Sequence, residues 1–171
     1  LGAGETYTLT KNVTPATVKC TWSSSNTSVA TVDSNGKITA KNAGTATITV
    51  KTSDGKTASC TVTVKNAPNK ITLNKTSLTL GVGETFDLNS RLPNGTASYS
   101  IVYSSNNANV ASVASSGGLV TAKSAGTAII TATTYNGKKA TCTITVKNAP
   151  SSISLNIRTL PLGIGESFNI N

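Results

Sequence analysis

Two segments of the chain share one alternation of apolar and polar residues. Residues 43–68 read AGTATITVKTSDGKTASCTVTVKNAP, and residues 125–150 read AGTAIITATTYNGKKATCTITVKNAP. In each segment two period-2 runs flank a short turn, Asp-Gly in the first and Asn-Gly in the second. Alternation of this length around such a turn predicts a β-hairpin with one apolar and one polar face.

The apolar faces of the two hairpins are the predicted inner faces of two β-sandwiches. At the alternate positions of each strand the chain has Thr, Ser and Lys, which suit a solvated outer face. The predicted inward residues are Ala46, Ile48, Val50, Ala58, Cys60, Val62 and Val64 in the first hairpin, and Ala128, Ile130, Ala132, Ala140, Cys142, Ile144 and Val146 in the second.

A second repeated pattern opens each unit. LGAGET at Leu1 returns as LGVGET at Leu80 and as LGIGES at Leu162, so that Glu5, Glu84 and Glu166 occupy one structural position. A strand pattern follows the glycines. A phosphate-binding loop would need a helix there, because the helix N-terminus holds the anion. The glycines therefore predict a bend where an edge strand crosses between sheets.

The remaining alternating runs complete the sandwich pattern. Val18–Trp22 and its counterpart Tyr99–Tyr103 predict one strand in each unit, with the single tryptophan filling the first core. An Asn-Gly turn after Val32 and a Gly-Gly turn after Val113 predict a further hairpin in each unit.

These repeats divide the chain into three parts. Residues 1–66 form a module that lacks its first strand, 69–148 form a complete module, and 151–171 carry the first strands of a third. The linker at 65–70 is short and contains a proline, which restricts how the modules swing. Because Leu1 is not a natural start, we expect the chain to be a piece of a longer protein.

Composition narrows the range of functions. The net charge is +9, but the lysines are scattered, and aromatic residues make up only 4% of the chain. No basic stripe interleaved with aromatics is present, so nucleic acid is not an expected partner. A basic face for anionic cell-wall polymers or acidic glycans remains an alternative to plain surface charge. No apolar run is long enough to span a bilayer.

The motifs LGVGET, SSNTSVATVDSNGKITAKNAGTATITV and GKTASCTVTVKNAP resemble the bacterial immunoglobulin-like domain group 2, or Big2. The resemblance covers nearly the whole chain, as two modules and a stub. It implies an all-β fold of tandem immunoglobulin-like, Greek-key β-sandwiches. It also implies an extracellular location, as part of a bacterial surface protein or a secreted protein.

The resemblance implies two functions. In the first, the modules are non-catalytic spacers that present or tether a functional domain, and their partners are neighbouring domains of the same polypeptide. In the second, loop residues contact glycans, cell-wall polymers or a host surface protein. Tyr135, at the tip of the second hairpin, is the candidate contact, because an exposed aromatic ring there would stack on a sugar. Its other interpretation is a partly covered turn residue.

The sequence offers no candidate residues for a catalytic site. The chain contains no histidine, and five of its six acids are the repeated glutamate or the turn residues Asp33 and Asp54, the sixth being Asp87. A catalytic carboxylate pair or a calcium site needs several acids in one place. We expect no catalytic residue, no metal and no cofactor, and Asp33 beside Asn35 is the nearest approach to a calcium ligand set.

The three cysteines are too few for a disulfide framework. Cys60 and Cys142 are the same inward position in the two hairpins, whereas Cys20 corresponds to Ile101. Cys142 is therefore predicted to be a buried free thiol that fills apolar space. For Cys20 and Cys60 two states stay open, a disulfide or two free thiols.

The segment 151–171 suggests one further partner. Ile153, Leu155, Leu160 and Leu162 repeat the opening strand that the first module lacks. Unpaired strand edges invite pairing with another chain. Head-to-tail self-association through 151–171 is therefore an expectation for this piece of the protein, whereas in the longer protein each module would receive its own opening strand from the same chain.

Overall fold

The computed structural model of the chain describes residues 1–14, 16–155 and 158–169. These residues are built from strands and turns, and none of them belongs to a helix capable of crossing a membrane. The predicted all-β class is confirmed.

The first module consists of two three-stranded sheets. One sheet has the order β2-β5-β6 and the other β1-β4-β3. The strands are β1 Thr6–Thr8, β2 Cys20–Ser24, β3 Ala30–Val32, β4 Lys37–Ala40, β5 Gly44–Thr52 and β6 Thr57–Val64.

The second module has the same plan with an additional strand on one sheet. Its sheets have the orders β11-β14-β15-β8 and β12-β13-β9, and β10 pairs with β7. The strands are β7 Thr72–Leu73, β8 Ser77–Gly81, β9 Thr85–Asp87, β10 Ser90–Arg91, β11 Ile101–Ser105, β12 Ala111–Val113, β13 Leu119–Ala122, β14 Gly126–Thr134 and β15 Lys139–Lys147.

The two repeated segments form the predicted hairpins in matching registers. Ile48 on β5 faces Cys60 on β6, and Ile130 on β14 faces Cys142 on β15. Gly55 and Gly137 adopt positive φ in the turns. The hairpin prediction is confirmed in both modules.

Each module buries its own apolar cluster. The first contains Val29, Ala30, Ile38, Ala40, Ala46, Ile48, Val62 and Val64. The second is larger and contains Ile71, Leu80, Leu88, Tyr103, Val110, Ala111, Val120, Ala122, Ala128, Ile130, Ala132, Cys142, Ile144 and Val146.

The prediction that both hairpins bury their whole apolar face is wrong at one edge. Ala58 and Cys60 are exposed on β6, whereas Ala140 is half-buried and Cys142 fully buried on β15. The reason is β8, which pairs in parallel with β15 and covers it. No strand of the described residues pairs with β6 on that side.

The Gly-x-Gly pattern is a crossing between sheets, as predicted. Strand β8 ends at Gly81 in one sheet, and β9 begins at Thr85 in the other. Gly83 provides the positive φ of 91° at the bend. The turn is closed by the N–H of Glu84, which donates to the Gly81 carbonyl over 3.1 Å.

An aromatic ring packs against a glycine in each module. A Cβ on Gly118 would lie 2.3 Å from the Leu88 carbonyl oxygen and 2.9 Å from the Tyr103 ring. Gly36 stands in the same relation to Trp22. Tyr103 is buried, while Trp22 is half-buried against its core, with its indole Nε1 enclosed and without a hydrogen-bond partner. The tryptophan therefore packs on the core beside the uncovered edge.

The segment after β15 forms no strand in residues 151–155 and 158–169. Residues 156–157 and 170–171 of the predicted third unit, like Pro15 of the first, lie outside the described residues. Near its end the N–H of Gly163 donates to the Glu166 carboxylate over 2.9 Å.

Candidate functional site at the joint between the modules

The two modules meet at a joint built from two turns, one loop and the linker. The first module contributes the Gly-x-Gly-Glu turn at residues 2–5. The second contributes the loop 95–100, which precedes β11, and the turn at 135–136. Residues 65–68 connect them. Because turns and loop ends carry unpaired N–H and C=O groups, such surfaces can exchange hydrogen bonds when they meet.

Glu5 is the centre of the joint. Its side chain is only 4% exposed. One carboxylate oxygen accepts from the N–H groups of Gly2 at 2.9 Å and Tyr99 at 3.0 Å, and the other accepts from Ser100 at 2.9 Å. A buried carboxylate is costly unless donors surround it, and hydrogen bonds to an ionised group are the stronger kind. Three backbone donors from both modules meet that need.

Tyr135 lies across the Gly-x-Gly turn. A Cβ on Gly2 would fall 2.7 Å from the Tyr135 ring and 2.3 Å from the Ala97 carbonyl oxygen, so only glycine permits this approach. The Tyr135 hydroxyl donates to the Ala3 carbonyl. Burial raises the pKa of the Tyr135 phenol, and the negative charge of Glu5 raises it further. A raised pKa keeps the phenol protonated, which is the form that donates.

The linker is part of the joint. Asn66 forms a parallel bridge with Thr96, and the N–H of Ala97 donates to the Asn66 carbonyl over 3.1 Å. Pro68 is fully buried, and the Asn136 amide donates to its carbonyl over 2.8 Å. A linker fixed by such contacts cannot act as a freely jointed chain.

Two tyrosines extend the contact outward. The rings of Tyr7 and Tyr99 meet edge to face, with centroids 4.9 Å apart and an interplanar angle of 76°. This is a favourable geometry for an aromatic pair. Tyr99 keeps 67% of its surface exposed, so this pair forms the rim of the joint.

The three repeated glutamates make the same contact within their own turn. The Glu84 carboxylate accepts from the N–H of Gly81 at 2.7 Å, and Glu166 accepts from Gly163, as Glu5 does from Gly2. The prediction of one repeated position is confirmed. Glu84 and Glu166 are exposed, whereas Glu5 is covered by the loop of the second module.

The joint was not predicted as a site. The sequence signal that pointed to it was the return of Gly-x-Gly-Glu at one position in each unit. The repeat identifies the glutamate as a shared position but not its contacts, and two of the three donors to Glu5 come from a loop more than ninety residues away.

The structure places the candidate ligand residue, Tyr135, in the joint. It is half-buried against the first module, with its hydroxyl directed to Ala3. Contact with a ligand stays a prediction for this residue. Beside it lies a shallow hollow of about 310 Å³ lined by Gly4, Glu5, Thr6, Ser100 and Tyr135.

The structure does not bring Cys20 and Cys60 together, and both are free thiols. Strand β5 separates them. Cys20 pairs with Thr52 on β5, while Cys60 lies opposite Ile48, in line with Ser24 on β2. A disulfide needs Cα atoms within about 7 Å, and this offset of four residues across two strand spacings exceeds it. Cys142 is a buried free thiol, as predicted, and burial raises its pKa.

Asp33 and Asp54 accept hydrogen bonds within turns, and Asp87 lies exposed on β9. One Asp33 carboxylate oxygen accepts from the N–H groups of Asn35 and Lys37, both at 2.9 Å. Across residues 1–14, 16–155 and 158–169, no three His, Cys, Asp or Glu side chains gather as a metal site would require.

Comparison with known proteins gives one family and several partial relatives. The model of the bacterial Ig-like domain (group 2) family matches residues 1–62 and 68–144. A protein of Clostridium acetobutylicum is 40% identical over 153 residues, covering 84% of this chain and 16% of that protein. Intimin of Citrobacter freundii is 40% identical over 81 residues, 42% of this chain and 8% of intimin.

A solved structure of the S-layer protein SbsC superposes with a TM-score of 0.45 at 22% identity, covering 88% of this chain and 22% of that one. The present chain spans 16% or less of the length of each of these sequence relatives. The family match covers both sandwiches, and the chain belongs to the bacterial Ig-like domain (group 2) family.

Proposed function

We propose that the two modules are a non-catalytic spacer in a bacterial surface or secreted protein, and that the joint keeps the spacer straight. The observation that carries this proposal is the Glu5 carboxylate, which is buried between the modules and bonded to both. Swinging the modules apart would leave a charged group and two N–H donors without partners until water replaced them.

The energetic argument favours a stiff joint. A hydrogen bond to a charged group contributes about 1.5–3 kcal/mol net, and Glu5 accepts two from the second module. The Tyr135 hydroxyl, the Asn136 amide and the Asn66 bridge add neutral bonds of about 1 kcal/mol each. Opening the joint therefore costs several kcal/mol, which leaves the open form as a minor population.

Rigid connection suits a spacer because it converts each module into a fixed increment of length. In the longer polypeptide, the partners would be the neighbouring domains that the spacer separates or tethers. The outer strand faces carry Thr, Ser and scattered Lys rather than a concentrated charge, as a surface that only needs to stay solvated would.

The test compares Glu5→Gln with Glu84→Gln. Glutamine keeps the shape but presents an NH₂ group where a carboxylate oxygen accepted from a backbone N–H. Glu84 makes the same contact within its turn and, among the described residues, none to another module, so its substitution is the matched control. Distances between one exposed spin label in each module, measured by pulsed dipolar spectroscopy, report the spread of joint angles.

We expect a narrow distance distribution in the wild-type chain, a clearly wider one in Glu5→Gln, and no change in Glu84→Gln. A wide distribution in the wild-type chain would contradict the stiff spacer. Equal distributions in all three would show that Glu5 does not hold the joint.

A second candidate function is adhesion through the joint. One hollow of the joint is lined by Tyr135, Glu5 and Ser100, and a second one by the exposed Tyr99 with Tyr7, so the joint offers aromatic rings beside polar groups. Sugars bind to such surfaces through aromatic stacking and polar contacts. Saturable binding to a glycan array or to purified cell wall, lost in Tyr99→Ser and in Tyr135→Ala, would support this function over a pure spacer.

A further inference from the structure

Asn-Gly pairs occur at three places in the chain, at residues 35–36, 94–95 and 136–137. An asparagine in such a pair deamidates faster than other side-chain amides, because the backbone N–H of glycine can reach the asparagine carbonyl carbon with no Cβ in the way. The reaction converts the asparagine to aspartate or isoaspartate. Only in the third pair does the asparagine side chain itself form a hydrogen bond to the linker.

The Asn136 side chain is held at both of its polar atoms. Its Nδ2 donates to the Pro68 carbonyl over 2.8 Å, and its Oδ1 accepts from the Thr134 hydroxyl over 2.6 Å. The N–H of Gly137, which is the nucleophile in deamidation, donates to the Thr134 carbonyl over 2.9 Å. These groups must leave their partners before Gly137 can approach the amide, so the closed joint slows the reaction.

The other two asparagines are held less firmly. Asn35 and Asn94 are exposed, and their side-chain amides form no hydrogen bond within the part of the chain that the structure describes. The N–H of Gly36 is bonded within its turn, whereas that of Gly95 has no acceptor among the described residues. The expected order of deamidation rates in the native protein, from fastest to slowest, is therefore Asn94, Asn35, Asn136.

The first hairpin shows how the turn accommodates the product. Asp54 takes the place of Asn136 and precedes Gly55 in the same kind of turn. It accepts a hydrogen bond from the Thr52 hydroxyl, as Asn136 does from Thr134. The N–H of Gly55 donates to the Thr52 carbonyl over 3.0 Å, so the turn closes in the same way. An aspartate at this position is therefore compatible with the hairpin.

The contact with the linker is not compatible with an aspartate. The NH₂ group of Asn136 is the donor to the Pro68 carbonyl. An aspartate is ionised at neutral pH and has no proton to donate, so its second oxygen would face the Pro68 oxygen as one acceptor faces another. The attraction between the hairpin and the buried Pro68 becomes a repulsion.

We propose that Asn136 is a deamidation site that is protected by the closed joint and that loosens the joint permanently once it is converted. This deamidation switch rests on the stiff joint proposed above. In the reaction the Gly137 nitrogen attacks Cγ of Asn136, a C–N bond forms, and the Asn136 amide nitrogen leaves as ammonia with the proton that Gly137 gives up. Water then opens the cyclic imide at one of its two carbonyls, which yields aspartate or isoaspartate.

Protection by the joint makes the change self-reinforcing. Opening the joint frees the Asn136 amide from Pro68 and removes one restraint on the reaction. Neither product can remake that bond, and isoaspartate also disturbs the turn because it adds a carbon to the backbone. Each conversion therefore leaves the joint more open than before, and the fraction of loosened joints rises with the age of the protein.

The protection is tested with Gly2→Ala, which forces the second module away from the first. A Cβ on Gly2 would lie 2.3 Å from the Ala97 carbonyl oxygen. A Cβ on Gly81, the equivalent glycine of the second module, would lie no closer than 3.5 Å, to the Glu84 side chain, so Gly81→Ala is the matched control. Glu5→Gln, with its control Glu84→Gln, opens the joint by a second route.

Each chain is kept in mildly alkaline buffer, and conversion is followed by mass spectrometry of the tryptic peptide 124–138, in which Asn136 is the only asparagine. We expect Asn136 to convert about fivefold faster in Gly2→Ala and in Glu5→Gln than in the wild type and the controls, the factor that loss of one neutral hydrogen bond allows. Asn35, which lies outside the joint, should convert at one rate in all of them. Equal Asn136 rates in Gly2→Ala and the wild type would overturn the proposal.

The consequence is tested with Asn136→Asp, which is one of the two products, and with Asn35→Asp as the control. Distances between one spin label in each module report the joint, and circular dichroism reports the fold. We expect a wider distance distribution in Asn136→Asp than in the wild type, no widening in Asn35→Asp, and unchanged circular dichroism in both, since Asp54 occupies the same kind of turn.

The outcomes separate the deamidation switch from the stiff spacer. A wide distribution already present in the wild-type chain would contradict the stiff joint and the switch together. A narrow distribution in the wild type and in Asn136→Asp alike, with a wide one in Glu5→Gln, would leave the stiff joint standing and overturn the switch alone.

Discussion

The first and second modules have nearly the same hairpin sequence, yet the equivalent cysteine is exposed in the first module and buried in the second. Cys60 and Cys142 sit at matching register positions, opposite Ile48 and Ile130. Strand β8 lies on β15, and among the described residues no strand takes the same place on β6. Whether a residue on an edge strand is core or surface is therefore decided by a strand that pairs from elsewhere in the chain.

The same comparison separates central from edge positions. Ile48 and Ile130 are both fully buried, because each lies on a strand with a neighbour on both sides. The uncovered edge also leaves Trp22 and Val50 half-buried, whereas their counterparts Tyr103 and Ala132 are buried. The fold of the first module survives because its second sheet covers the centre of β5.

The largest expected consequence is unequal stability of the modules. Ile71, Leu73 and Leu78 pack on the second core and have no counterpart in the first. Their burial contributes about 3–6 kcal/mol. Denaturant unfolding at low protein concentration should show two transitions, with the first module unfolding earlier. Trp22 is the single tryptophan, so its fluorescence follows the first module while circular dichroism follows both. Coincident transitions would contradict this expectation.

The second prediction concerns thiol access. Cys60 is exposed, while Cys142 is enclosed and its pKa is raised by burial, so less of it is thiolate at any given pH. Reaching Cys142 requires an opening that costs about 4 kcal/mol or more. In dilute native protein, Cys60 should react with a thiol reagent on the order of 10³-fold faster. Similar rates, followed by mass spectrometry of peptides, would show that the second module opens as readily as the first.

A smaller effect is expected from Cys→Ser substitution at the same two positions. Cys142→Ser buries a hydroxyl in apolar surroundings and should destabilise the second module by about 1–3 kcal/mol. Cys60→Ser changes an exposed side chain and should alter the first module by less than about 0.5 kcal/mol. The midpoints of the two unfolding transitions give both values, and equal losses would mean that the two sites share one environment.

The smallest expected effect tests whether a hydrogen bond across the joint stabilises the first module. Tyr135→Phe removes the hydrogen bond to Ala3 while keeping the ring against Gly2. The substitution is in the second module, but we expect it to destabilise the first by about 1 kcal/mol, because the joint stabilises both partners. The Trp22 transition reports the shift, and Lys139→Ala on the same hairpin serves as the control. An unchanged midpoint in Tyr135→Phe would mean that the hydroxyl contributes nothing across the joint.

Much of the fold follows from the sequence. The alternation in residues 43–68 and 125–150 predicted both hairpins and their inward residues, since a strand places successive side chains on opposite faces. The glycines of Gly-x-Gly predicted the crossing between sheets, because only a flexible backbone turns so sharply there. Burial on the edge strand was predicted incorrectly, as Ala58 and Cys60 show, because the pattern of one strand does not report whether another covers it.

The joint could be predicted only in part. The recurrence of Glu5 as Glu84 and Glu166 indicated a shared position. Each glutamate accepts a hydrogen bond from the glycine three residues earlier, and a contact over so short a distance along the chain can be expected from the repeated motif. The donors Tyr99 and Ser100 belong to a loop with no pattern that points to a glutamate. They reach the carboxylate only because the linker and the Tyr135 turn bring the second module against the first.

By itself, the sequence determined the strands, the turns, the two-module plan and the residues that face inward at the centre of each sheet. These depend on neighbours a few residues away, through backbone alternation and turn geometry. The tertiary structure alone decided which edge is covered, which of three equivalent glutamates is buried, and where Tyr135 lies. Those outcomes depend on surfaces that are distant along the chain and meet only once the modules have folded.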